Sequence, residues 1–209
     1  GIDCAGKSTQ LDRLQAALTE RGHNVRRVWF RPGYSPLMDS MRAGVRRVRP
    51  SSMPRSTAPK ARARAFSRPG VSQAWVAMAI VDTIINLGAH VRWLSLRGAT
   101  VLCDRYIEDA ILDLTLRFPD LVAANGKLRR TLVAACPTPD AAFLLQLSRE
   151  EVARRAAIKN EPFEDAPEVR ATRYDAYMRL AREGRFSVID AAQPVEVVTR
   201  ALLDALREA

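Results

Sequence analysis

The chain has 209 residues, 47% of them hydrophobic and 27% charged, which suits one globular domain and excludes the disordered and fibrous classes. Its net charge of +10 is concentrated in residues 42–68, where Arg42, Arg46, Arg47, Arg49, Arg55, Lys60, Arg62, Arg64 and Arg68 stand without an acid, so the remainder is a nearly neutral body rather than a basic nucleic-acid binder. Cys4, Cys103 and Cys136 are odd in number and lack metal-ligand spacing, which disfavours a disulfide framework and makes the cytoplasm the expected compartment.

Gly1-Ile2-Asp3-Cys4-Ala5-Gly6-Lys7-Ser8 satisfies the phosphate-binding loop pattern G-x-x-x-x-G-K-[ST] at every fixed position. Glycines let the backbone bend its N–H groups toward phosphate oxygens, a Lys ammonium reaches the β/γ-phosphates, and a Ser hydroxyl ligates magnesium. Leu11, Leu14 and Leu18 then recur at helical spacing up to Gly22, a left-handed cap, so the loop opens a helix whose positive dipole end faces the phosphates. The competing reading is a Gly-rich turn with an incidental lysine. Such a loop ordinarily leaves a buried parallel strand, and none precedes Gly1; the expectation is a chain truncated at its first strand.

Residues 24–30 (Val25, Val28, Trp29, Phe30) read as a strand broken at Pro32-Gly33. The basic segment at about 42–68 carries Pro50, Pro54 and Pro59 and reads as a mobile loop dispensable for ATP chemistry. Residues 71–96 read as a core helix, and no membrane span is expected, because the charge-free run from Val71 meets Asp82 after 11 residues, against roughly 20 for a bilayer. Ala99 to Cys103 is a buried strand ending in Asp104, and Ala141 to Leu147 a second. Ser148 and Glu151 form a capping box for a helix to about Ile158. Helix 168–182, strand 186–189 and helix 194–206 follow, the last with Val197, Val198, Leu202, Leu203 and Leu206 inward. Alternating strands and helices define an α/β fold, a parallel sheet with helices on both faces, as a single domain over 1–209.

The loop through Ser8-Thr9-Gln10, together with Val101-Leu102-Cys103-Asp104-Arg105-Tyr106, resembles the thymidylate kinase family, and the order of parts agrees along nearly the whole chain, including Arg31-Pro32-Gly33, Pro139-Asp140 and Val188-Ile189-Asp190. The resemblance implies a P-loop kinase sheet of five strands, its first, central strand missing here, and phosphoryl transfer from ATP with Mg2+ to a nucleoside monophosphate, thymidylate by default. It implies that Gly1, Cys4, Ala5, Gly6, Lys7, Ser8 and Thr9 bind ATP, that Asp3 lies near the acceptor, and that Asp104 and Arg105 match the family's Asp-Arg pair, whose Arg, with Tyr106 beside it, grips the acceptor phosphate. A carboxylate ending a strand beside such a loop also suits a magnesium ligand with Ser8, though a helix N-cap at Asp104 and a surface ion pair at Arg105 stay open.

Cys4 stands where some family members place an arginine, so transition-state cations would come from a lid at about 154–165, with Arg155 and Lys159 four apart on one face; a solvated basic face is the alternative. At the turn the family's Glu is replaced by Arg31. Near Thr83 and Ile85, where the family has an arginine and a Gln or Asn, neither side chain can serve, so Asp82 and Asn86 are the acceptor candidates, or plain helix-surface residues. A different small acceptor and a nucleotide-dependent anion or nucleic-acid binding module are the other functions carried forward. A small nucleotide is the expected partner, nucleic acid is not, and a homodimer is left open. Cys4 or Cys103 as a nucleophile lacks a histidine partner, since His23 and His90 lie elsewhere.

Overall fold

The computed structural model describes the chain except residues 1, 3, 37, 41–42, 44–46, 48–68, 125, 160–166 and 208–209, and except the side chains of residues 69, 124 and 159. The basic segment expected as a mobile loop thus lies outside the described residues apart from Ala43 and Arg47, both helical and exposed. Two compact units interleave along the sequence: Gly1–Val28 with Leu94–Asp104 and Thr138–Ala209, and Trp29–Trp93 with Arg105–Pro137.

In the first unit, α1 (Lys7–Glu20) leads to β1 (Val25–Trp29), whose last residue belongs to the second unit, and β2 (Thr100–Asp104) pairs with β1. Thr100 N donates to Asn24 O at 2.9 Å at the start of that pair. β3 (Phe143–Gln146) is followed by α7 (Arg149–Lys159), α8 (Pro167–Arg182), β4 (Ser187–Asp190) and α9 (Val195–Ala205). β3 and β4 are parallel, in register from Phe143 opposite Ser187 to Gln146 opposite Asp190. The architecture is mixed α/β with short strands, and the described strands make two separate pairs, β2 and β3 not being partners. β2, expected to be buried, is only half-buried at every residue.

α1 lies against β2 and α9. Leu14 and Leu18 are buried as their spacing requires, and Gln10, also buried, ties the helices by donating to Val195 O at 3.1 Å and accepting from Thr199 Oγ1 at 2.7 Å. α9 turns Val198 and Leu202 inward, but Val197 is 46% exposed, correcting its inward assignment: at 100° per residue, consecutive valines cannot both face a narrow contact.

The second unit is built on one long helix: α2 (Pro69–Thr83), a π-helical segment (Ile84–His90) and α3 (Val91–Leu96), whose last residues belong to the first unit. α4 (Ile107–Arg117) packs on α2, on α5 (Pro119–Ala124) and on α6 (Leu128–Ala135), and α6 packs on the π segment. The continuous stretch Gly70–Leu96 is long and apolar enough, by length and composition alone, to cross a membrane, a test that the core helix of a globular domain also passes. Trp75, Val76, Ala79 and Leu87 on it are nevertheless buried, and Asp82 is 1% exposed with Ser35 as its hydrogen-bond donor, so this stretch supplies one face to protein packing.

Gly33 closes the Pro32-Gly33 turn with φ +83°, and a Cβ there would overlap the Trp75 ring. Gly33→Ala is therefore expected to lower unfolding free energy by about 2 to 4 kcal/mol, combining a left-handed backbone penalty with overpacking, as read by denaturant titration. Retained stability would mean that the turn moves freely off Trp75.

Candidate functional site

Residues 4–6 form a turn followed at once by helix. Cys4 (φ +59°) and Gly6 (φ +81°, ψ +16°) both adopt left-handed backbone, so the chain reverses its curvature twice before α1. Alternation of this kind makes the anion-binding concavity called a nest. Gly6 is the N-cap of α1, no side chain caps the first turn, and the space where a Gly6 Cβ would lie is open to 4 Å. Lys7 folds back along the loop, its ammonium donating to Ile2 O at 2.5 Å. Ala5 is buried, while Ser8 and Thr9 are exposed on the first turn. Gly1 and Asp3 lie outside the described residues.

Asp104 ends β2 half-buried, in the same unit as the loop. Among the described residues no group of three His, Cys, Asp or Glu could hold a metal by itself. A hydroxyl and a carboxylate, Ser8 and Asp104, nevertheless suit Mg2+, a hard ion that keeps waters and is held by one or two protein oxygens together with nucleotide phosphates.

Cys103 precedes Asp104, and burial pushes its thiol up to about 12. Cys136 is also raised, chiefly by burial, with Arg92 opposing. Cys103 is therefore the neutral thiol at physiological pH, not a nucleophile. The sign follows: its contribution to stability is complete below about 9 and is lost as pH rises toward about 12. Alkylation at pH 8 should label Cys103 more slowly in folded than in unfolded protein; equal rates would contradict the raised thiol.

In α7 the Ser148 half of the capping box forms, Glu151 N donating to Ser148 Oγ at 3.2 Å. The Glu151 half is corrected: that carboxylate is held by Arg154 through two bonds of 2.7 Å and by Arg155 Nε at 2.6 Å. These guanidinium hydrogen bonds hold Glu151 down at about 2, so the clip persists until pH falls well below the usual carboxylate range. Arg155 also reaches Ala191 O at 3.5 Å. Its partners here are thus acidic and carbonyl groups of its own unit. Lys159 ends α7, its side chain outside the described set, as are lid residues 160–165.

The acceptor candidates Arg31, Asp82, Asn86, Arg105 and Tyr106 fall in the second unit. Arg31 Nε donates to Asp113 Oδ2 at 2.8 Å, and its guanidinium lies 5.3 Å from the Tyr34 ring centroid. Asp82 is not on a helix surface, as one reading had it: its Oδ1 accepts from Ser35 Oγ, and from Asn86 Nδ2 at 3.0 Å. Arg105 follows β2 with φ +78°, a left-handed backbone at a non-glycine residue, and such strain concentrates at functional sites. Tyr106 N donates to Asp109 Oδ2 at 3.1 Å and Tyr106 Oη to Pro137 O at 2.7 Å, which fixes the start of α4. Thr83 is buried with its hydroxyl on Ala79 O at 2.7 Å, so its place on the helix is satisfied internally.

Of the partners found here, Glu151 stands at helical spacing from Arg154 and Arg155, whereas Ser35 and Asp113 are distant in sequence from Asp82 and Arg31. Ser35 had a signal, a small hydroxyl just after a Pro-Gly turn; Asp113 sits 82 residues from Arg31 and carries none.

A mixed α/β chain with a tight turn leading straight into a helix N-terminus is the class these features define. No protein-family model matches the sequence. Among curated proteins, a thymidylate kinase from Geobacter sulfurreducens is 28% identical across an alignment of 219 residues that covers 99% of this chain and 93% of that protein.

Proposed function

We propose that the protein is an ATP-dependent phosphotransferase of the nucleoside monophosphate kinase type, with thymidylate the first acceptor to test. The observation that carries the reading is the loop at residues 4–8, where two left-handed residues and a folded-back lysine lead into a helix N-terminus. Similarity to a thymidylate kinase over nearly the whole length supports it.

On this reading the loop amides and the α1 dipole bind the β- and γ-phosphates, and Lys7 exchanges the Ile2 carbonyl for phosphate oxygens. Ser8 and Asp104 would hold Mg2+, which supplies positive charge to the phosphates. Arg105 grips the acceptor phosphate, and Tyr106 and Asp109 orient the helix start behind it. Arg154 and Arg155 release Glu151 to bring cations over the transferring group; exposed ion pairs of this kind are weak enough to exchange.

The test is ADP release from MgATP with dTMP, dUMP, dCMP or dGMP in turn. Acceptor-dependent ADP formation supports the kinase reading. Activity with an acceptor other than dTMP would select the variant of this reading in which the substituted positions Thr83 and Ile85 change specificity. MgATP binding without acceptor-dependent release would favour a nucleotide-dependent binding module instead.

A further inference from the structure

Residues 31–36, which carry the turn after β1, are anchored three times within the second unit. Arg31 is bound to Asp113 on α4, Gly33 sits against the Trp75 ring on α2, and Ser35 Oγ donates to Asp82, also on α2. The same Ser35 oxygen accepts from Met38 N at 3.2 Å, and Met38 is fully buried. Asp82 at 1% exposure and Ser35 at 6% are thus interior polar groups. A buried carboxylate is costly unless hydrogen-bonded, and an apolar pair would fill the same space without that cost. What the hydrogen bond adds is direction: a hydroxyl aimed at Oδ1 fixes the turn in one register, which packing alone specifies poorly.

We infer that Asp82 is a positioning residue for acceptor binding: through the Ser35 hydroxyl it holds the Arg31-bearing turn in its binding conformation without itself touching the acceptor. The inference rests on the kinase reading and names the residues that set affinity on its acceptor side. A turn ordered before the ligand arrives loses less freedom on binding, so the effect falls on acceptor affinity. The loop at residues 4–8 belongs to the other unit, so ATP affinity is expected to stay unchanged.

Steady-state kinetics of the full 209-residue chain, with the best of dTMP, dUMP, dCMP and dGMP, test this. Ser35→Ala should raise the acceptor KM about tenfold while the KM for ATP and kcat stay within about twofold. Ser35→Thr, which keeps the hydroxyl, should bring the acceptor KM back to within about threefold of wild type. If Ser35→Ala does not fold, Asp82→Asn serves: its amide oxygen is a weaker acceptor for Ser35, and the acceptor KM should rise about threefold with ATP KM unchanged. Parallel rises in both KM values, a fall in kcat alone, or no recovery with threonine would overturn the inference and leave the kinase reading intact. Wild-type protein inert toward all four acceptors would overturn both.

Discussion

Lys7→Ala is expected to lower kcat/KM for phosphoryl transfer about a thousandfold, or about 4 kcal/mol, because the ammonium is the one loop cation that follows charge as it moves onto the leaving phosphate oxygens. Ground-state binding of MgATP should weaken less, since the loop amides and the α1 dipole remain. The fold should survive. In the free protein the half-buried ammonium donates to the Ile2 carbonyl at 2.5 Å. Thermal melting of the variant separates these effects. Unchanged turnover in a folded Lys7→Ala protein would remove the loop from the reaction.

Arg105 gives the second large effect, because its backbone and its side chain make opposing demands. At φ +78° the position suits glycine, yet it carries an arginine. Arg105→Gly and Arg105→Ala should both reduce kcat/KM by about a hundredfold to a thousandfold through loss of the guanidinium on the acceptor phosphate. Their stabilities should split: glycine relieves the left-handed backbone and alanine does not, so Arg105→Gly should be the more stable by about 1 kcal/mol. If both variants kept full activity, the strained arginine would be a structural feature of the β2–α4 turn only.

The parts legible in the sequence are those with local signals. The loop and α1 announce themselves by glycines, a lysine and leucines at helical spacing, and α1 indeed begins at Lys7 and turns off at Gly22 with φ +86°. β1, β2, β3 and β4 fall within about two residues of their apolar runs, and Ser148 marks α7 by its hydroxyl. Between Arg105 and Asp140 no element was expected, although Ile107, Ala110 and Leu114, then Leu128 and Leu132, are buried at helical spacing on α4 and α6. α5 and α6, of 6 and 8 residues, present too few turns for the period to stand out. The π-helical segment Ile84–His90 carries no residue pattern that distinguishes it from α-helix.

The side-chain partnerships at the site were less legible, for a different reason. Residue type indicates that Asp82 and Arg31 can carry charge to a ligand, but not that Ser35 and Asp113 meet them in the folded chain. An exposed carboxylate and a buried one read alike in sequence. Only tertiary packing distinguishes a ligand from the group that holds a ligand in place.

Incubation with ATP labelled at the γ-phosphate, Mg2+ and nucleoside monophosphates, followed by separation of products, asks directly whether the phosphoryl group moves to a nucleotide. Label appearing in a nucleoside diphosphate, dependent on acceptor and lost with Lys7→Ala, is the expected result. Label remaining in ATP, or released only as inorganic phosphate at a rate indifferent to every acceptor, would contradict a nucleotide phosphotransferase.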